Sequence, residues 1–175
     1  MKLKALIMLF LMGSVSLMAQ KSYQLQSPDK KLQVVVTVGD DIRFSLTHDG
    51  TEVLAASPIS MTLQDGSVLG VNSKVSKVLK AAVDKTIPSP FYKKTEIEDT
   101  YNEMTFAFRG NYGLVFRLYN DGMAYRFTTK MKNDIIVVNE EAGYNFSSDH
   151  KTFAPYVNSQ KATFEEQFMN SFEQP

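Results

Sequence analysis

Met104-Thr105-Phe106-Ala107-Phe108-Arg109-Gly110-Asn111-Tyr112-Gly113-Leu114-Val115-Phe116-Arg117-Leu118 decides the fold. Met104, Phe106 and Phe108 alternate with Thr105, Ala107 and Arg109, and Leu114, Phe116 and Leu118 alternate with Val115, Arg117 and Tyr119. A period of two puts each apolar set on one face of a strand. Gly110-Asn111 breaks the first run from the second, as a hairpin turn would. Asn120-Asp121-Gly122 then turns the chain into Ala124–Thr129, and Asn133-Asp134 precedes Ile135–Val138. The spacing predicts four antiparallel strands in a meander.

The same period extends toward the N-terminus. Leu32–Val38 is rich in β-branched residues and lies between Ser27-Pro28-Asp29 and Gly39-Asp40-Asp41. Ile42, Phe44 and Leu46 alternate with polar residues, and Asp49-Gly50 makes a tight turn into Thr51–Ala55. Asp65-Gly66 offers a second such turn, between Met61–Leu63 and Ser67–Leu69. Val75–Ala82 is compatible with strand or helix, and Pro88-Ser89-Pro90 reads as a loop. Helical spacing is confined to Thr163–Phe172, which suits a short amphipathic turn. The fold class is all-β, an antiparallel β-sandwich of the supersandwich kind, with no internal repeat and no linker.

Met1–Ala19 stands apart. Lys2 and Lys4, the apolar run Ala5–Met12 and a small residue before Gln20 are the parts of a secretory signal peptide. The run is short for a bilayer span of ~20 residues. Residues 20–175 are then the mature domain, exported to a periplasm and free of the membrane after cleavage. Loss of Lys2 and Lys4 leaves 17 basic and 19 acidic residues, a net charge of −2. Nucleic-acid binders carry a basic surplus, so no nucleic-acid partner is expected.

Composition excludes several chemistries. The 175 residues include no cysteine, so a disulfide framework, a thiolate metal site and a cysteine nucleophile are all ruled out. The two histidines, His48 and His150, are too far apart in sequence for a His-rich metal motif and read as surface residues. No phosphate-binding glycine loop, serine-nucleophile elbow or HExxH pattern occurs. Acidic pairs stand at Asp40-Asp41, Glu140-Glu141 and Glu165-Glu166, but neighbours on a strand point to opposite faces. None of them alone gives the two facing carboxyls of a glycosidase. Asp40-Asp41 reads as turn chemistry and Glu140-Glu141 as a strand end. Arg117 and Arg126 flank the Asn120-Asp121-Gly122 turn and could together hold a carboxylate or a sugar hydroxyl. Pairing of each with a neighbouring acid is the simpler reading, since opposed cations repel. Aromatics make up 11% of the chain; their strand spacing favours core packing over sugar stacking.

The order of pieces resembles a known family. Leu25-Gln26-Ser27-Pro28-Asp29 follows the signal peptide. Then come Tyr101-Asn102-Glu103-Met104, the run from Phe116 through Asn120-Asp121-Gly122 to Phe127, and Phe153-Ala154-Pro155. This is similar to the N-terminal β-sandwich domain of glycoside hydrolase family 97, periplasmic α-glucosidases and α-galactosidases of the Bacteroides type. The resemblance implies a partial sandwich, and a (β/α)₈ catalytic barrel that would carry the catalytic residues outside this sequence. It implies no catalytic residue here. The implied role is carbohydrate binding and support of the active-site rim, with α-linked oligosaccharides and the barrel as partners. It also implies calcium in the full-length enzymes, with Glu165 as a latent ligand and Glu166 as the near alternative. A free-standing periplasmic β-sandwich that binds a glycan or a protein is the alternative.

Overall fold

Strand-forming residues in period two pair here as two packed antiparallel sheets. The computed structural model describes residues 20–90 and 93–149, with the backbone of 154–155 and 172–173. The signal peptide, His150, Phe153 and both Glu165 and Glu166 lie outside the described residues. So does the stretch read as helical, except for Phe172 at its end.

The first sheet holds β1 (Lys21–Gln26), β2 (Leu32–Val38), β3 (Ile42–His48), β4 (Thr51–Leu63) and β10 (Val137–Ala142) in that order. The short β5 (Val68–Leu69) pairs with β4. The second sheet runs β6 (Val75–Pro88), β7 (Glu96–Phe108), β8 (Tyr112–Leu118) and β9 (Met123–Thr129). A two-residue ladder joins β11 (Ala154–Pro155) to β12 (Phe172–Glu173). All of these pairings are antiparallel, and the described residues contain no helix. The β-sandwich expected from the sequence is the fold.

Alternation places the core between the sheets. Val34 and Val36 of β2 and Ile42 and Phe44 of β3 face Met104, Phe106 and Phe116, all with essentially no exposed surface. The rings interlock: Tyr23 meets Phe106 edge-on at 5.1 Å, and Phe44 lies 6.1 Å from Phe116. Offset and edge contacts of this kind add about 0.5–1.5 kcal/mol each beyond burial. Asp49 and Gly50 both take positive φ, 48° and 78°, as the β3–β4 hairpin turn requires.

The structure corrects the reading in three places and resolves one that the sequence leaves open. The meander has four strands, but its fourth is β6 rather than Ile135–Val138. The chain crosses after β9, and β10 pairs with β4 in the opposite sheet, Glu140 opposite Met61. The ambiguous Val75–Ala82 is strand, because β7 hydrogen-bonds it along its length through Pro88 opposite Glu96. Pro88 fits there because β6 is an edge strand that needs no second ladder. Thr51–Ala55 and Met61–Leu63 belong to one long β4, whose pairing with β3 shifts register on either side of Leu46. Glu140 and Glu141 stand within β10, where the Glu141 carboxylate accepts a hydrogen bond from Ser60 Oγ at 3.1 Å.

Two open edges lie on one side of the sandwich. Among the described residues β9 has no ladder partner beyond β8, and every residue of β10 is exposed, including Val137 and Val138. Ile136 beside them is 59% exposed. Unprotected apolar edges recruit further strands. The isolated chain is therefore expected to self-associate with rising concentration, read by sedimentation velocity. Val138→Lys should shift it toward monomer, and a monodisperse wild type at high concentration would contradict this.

Candidate functional site

Three of the four sequence pieces that carry the family resemblance converge at one end of the sandwich. Ser27, 1% exposed, ends β1: its hydroxyl donates to Asp29 Oδ1 at 2.6 Å and accepts from Leu32 N at 3.0 Å. Asp29 Oδ1 also accepts from Lys31 N at 3.1 Å, so the turn is closed by side chains. Across the sandwich, Asn120 Oδ1 in the β8–β9 turn accepts from Asp29 N at 3.0 Å. Tyr119 N donates to Gly122 O at 2.8 Å and shapes that turn. Asn102 on β7 donates from Nδ2 to Gln26 O at 2.8 Å. Two amide side chains thus clamp the first sheet to the second. These residues are architectural, and their spacing in sequence reflects a meeting in space.

The hydroxyl of Ser27, then the Lys31 amide, holds the Asp29 carboxyl below the usual carboxylate range. Its contribution to stability is present above the ordinary Asp value of ~3.9 and is lost as pH falls through the lowered one. Asn120→Ala hands the exposed Asp29 amide to water and should cost about 0.5–1 kcal/mol in urea denaturation. An unchanged midpoint would remove the clamp from the account.

The outer face of the second sheet, next to this end, carries an ordered polar and aromatic cluster. Arg117 Nε donates to Glu103 Oε2 at 2.8 Å, and its guanidinium carbon lies 4.4 Å from the centre of the Tyr101 ring. That ring is only 4% exposed and stands 5.1 Å from Tyr119. Thr105 donates to Glu103, and Tyr119 donates to Asp99, which also pairs with Lys85 at 3.4 Å. The Glu103 carboxylate raises the Arg117 pKa above its ordinary value.

Arg117 and Arg126 share this face but are not directly opposed: Arg117 pairs with Ala124 and Arg126 with Val115. The expectation of an acidic neighbour holds for Arg117. Arg126 has no acid within ion-pair distance among the described residues. Asp99 and Glu103 stand four residues apart on one strand, about 13 Å. That exceeds the ~6.5–9.5 Å that an inverting pair needs, and the retaining distance by more. His48 is a half-exposed strand end beside Asp49. The arrangement can hold and orient a partner, and its acids are already engaged.

Tyr125, at the open side between β9 and β10, is pushed up to about 12 by burial, with Tyr144 and Glu140 adding to the shift. The folded state favours the neutral phenol. That contribution is full below the ordinary tyrosine value of ~10 and is lost as pH rises toward 12. Tyrosinate absorbance should show a late-titrating group that disappears in Tyr125→Phe. A late group unchanged in that variant would reassign the shift.

Sequence reasoning misses Tyr101, Glu103 and Asp99 as a cluster because they face outward on a strand whose other face is core. Their two-residue spacing is the available signal.

The described residues form a two-sheet antiparallel β-sandwich. The chain matches the family model described as "Glycosyl-hydrolase 97 N-terminal" over residues 25–174, and it belongs to that family. It is 42% identical over 174 residues to a retaining alpha-galactosidase of Bacteroides thetaiotaomicron, covering 99% of this chain and 26% of that protein. The chain therefore spans about a quarter of that relative. Among solved structures, a glycoside hydrolase family 97 enzyme of Pseudoalteromonas sp. strain K8 in complex with panose matches with a TM-score of 0.67. Identity there is 18%, over 77% of this chain and 22% of that one. A beta-arabinopyranosidase matches with a TM-score of 0.70 and 22% identity, over 82% and 24% of the two chains. These structural matches show the shared fold.

Proposed function

We propose that the chain is a non-catalytic domain of an α-glycosidase that supports the substrate-binding rim of a separate catalytic portion and contacts α-linked oligosaccharide there. The observation that carries this reading is the 42% identity along nearly the whole chain to only 26% of a retaining alpha-galactosidase. That relative favours an α-galactosidase parent. The engaged acids of the described outer face agree with a supporting role. Export to a periplasm through Met1–Ala19 fits an enzyme that meets external oligosaccharide.

Calcium belongs to this reading as a ligand of the whole enzyme. The described residues hold no group of three or more acids and histidines that could cage an ion. Calcium needs six to eight oxygens. Glu165, or Glu166 beside it, would contribute one carboxylate to a site completed by the catalytic portion. When bound there, the ion would polarise substrate oxygens.

The purified chain should turn over neither aryl α-galactosides nor aryl α-glucosides, and calorimetry should show no calcium binding tighter than millimolar. Turnover that survives repurification would overturn the non-catalytic reading. Submicromolar calcium binding abolished by Glu165→Gln would show that the site needs no catalytic portion.

A further inference from the structure

Opposite the open edges of β9 and β10, the edge strands β1 and β6 leave a groove between the two sheets. Two cavities lie in line along it. The first, about 390 Å³, is walled by Lys21 at the start of β1, Ser73 and Lys74 before β6, and Arg109 after β7. The second, about 520 Å³, lies beside Gln24 and Gln26 of β1, Gln33 of β2, Lys80 of β6 and Asn102 of β7. Lys21 and Gln24 are three residues apart on one strand, about 10 Å. One extended ligand can therefore reach both cavities.

The lining is one-sided in charge. Among the described residues four cations and four side-chain amides line the two cavities, and no carboxylate does. Asp40 and Asp41 follow Gly39 in the chain yet line neither, and Asp41 is held by Arg43 at 2.7 Å. Lys21 and Arg109 have no ion-pair partner among the described residues. A cleft lined by one sign of charge concentrates ions of the other. Ser73 is buried at its wall with Tyr112 Oη 2.7 Å away. The phenol is the more acidic partner, so it donates and leaves the Ser73 proton for a ligand oxygen. Beyond the cations, the amides can both donate to hydroxyls and accept from them. An acidic peptide added as a further strand is a poor occupant. Ser27 N donates to Leu32 O, so two and four residues... earlier on the ladder Gln24 and Gln26 turn their carbonyls away from β2. Those carbonyls already accept from Lys80 Nζ at 2.5 Å and Asn102 Nδ2 at 2.8 Å, which closes the edge to pairing.

We propose that the groove between β1 and β6 binds an acidic oligosaccharide, with its carboxylate or sulfate at Lys21, Lys74 and Arg109 and its hydroxyls at the amides beside Gln24. Such a site would tether the protein to an acidic polysaccharide. It goes beyond the functional reading above and does not rest on it.

Calorimetry of the purified chain tests this with tetragalacturonate, a sulfated dextran oligosaccharide and neutral maltotetraose as probes. At least one acidic oligosaccharide should bind at low salt and more weakly at high salt, where exposed charges are screened. Maltotetraose should not bind. Lys21 and Arg109 are both exposed, so Lys21→Gln combined with Arg109→Gln should leave the melting temperature unchanged. That double variant should weaken binding at least about tenfold, because each lost cation removes a charge-assisted hydrogen bond. Lys132→Gln, an exposed cation between β9 and β10, should change it less than about twofold. The tighter of the two acidic ligands identifies the oxyanion. Equal weakening by Lys132→Gln would overturn the site in favour of diffuse charge. Tighter binding of tetraglutamate, or of phosphatidylglycerol vesicles, than of either acidic sugar would give the groove to a peptide or a lipid headgroup and overturn the proposal. Absence of binding by both acidic oligosaccharides at millimolar concentration would overturn it too. None of these results bears on the supporting role proposed above.

Discussion

Phe116→Ala is expected to cost the folded chain about 3–5 kcal/mol, the usual loss for truncating a buried aromatic. Phe116 sits in the middle of β8 with no exposed surface and touches Phe44, Phe106 and Tyr125. These neighbours belong to β3, β7 and β9, so paired strands would have to move to fill the cavity. With ~5–15 kcal/mol holding a typical domain, this one change leaves a small margin or none. Urea denaturation should show a lower midpoint with an unchanged slope. A loss under about 1 kcal/mol would mean that the two sheets are not packed through this ring.

Gly113→Val is the second large effect, and it acts through the backbone. A Cβ at Gly113 would stand 2.6 Å from Phe106 O and 2.8 Å from Thr128 Oγ1. The hydroxyl could rotate away, but the carbonyl belongs to the β7–β8 ladder, where Phe106 pairs with Leu114. β8 would have to move off β7, which disturbs both its ladders at the centre of the sheet. We expect at least ~3 kcal/mol of destabilisation, or failure to fold. Gly113→Ala should already cost part of this. A fully folded valine variant of wild-type stability would show that the strands separate at this point.

The strands can be read from the sequence wherever one face is core and the other is wet. Alternation is clearest at Met104–Phe108 and Leu114–Leu118, because burial on one side imposes a period of two. The same logic fails for β6, whose residues are exposed or half-exposed on both faces, so Val75–Ala82 carries no decisive pattern. The sheet exchange of β10 is also illegible. Its partner β4 lies more than seventy residues earlier, and turn chemistry reports only on sequence neighbours. At the candidate site, Ser27-Pro28-Asp29 and Asn120-Asp121-Gly122 stand out as turns. That Asn120 accepts a hydrogen bond from Asp29 can be seen only with both turns in place. The Arg117 pairing with an acid follows from charge repulsion, whereas the isolation of Arg126 depends on which acids the topology brings near.

The central claim is that this chain serves a glycosidase as a supporting domain, and complementation tests it most directly. Three proteins would be compared for kcat/KM on an aryl α-galactoside: this chain alone, the Bacteroides relative without its matching quarter, and the two joined. The account predicts measurable turnover only in the joined protein, at least ~100-fold above either part. Equal activity in the relative with and without the domain, or activity in this chain alone, would contradict it.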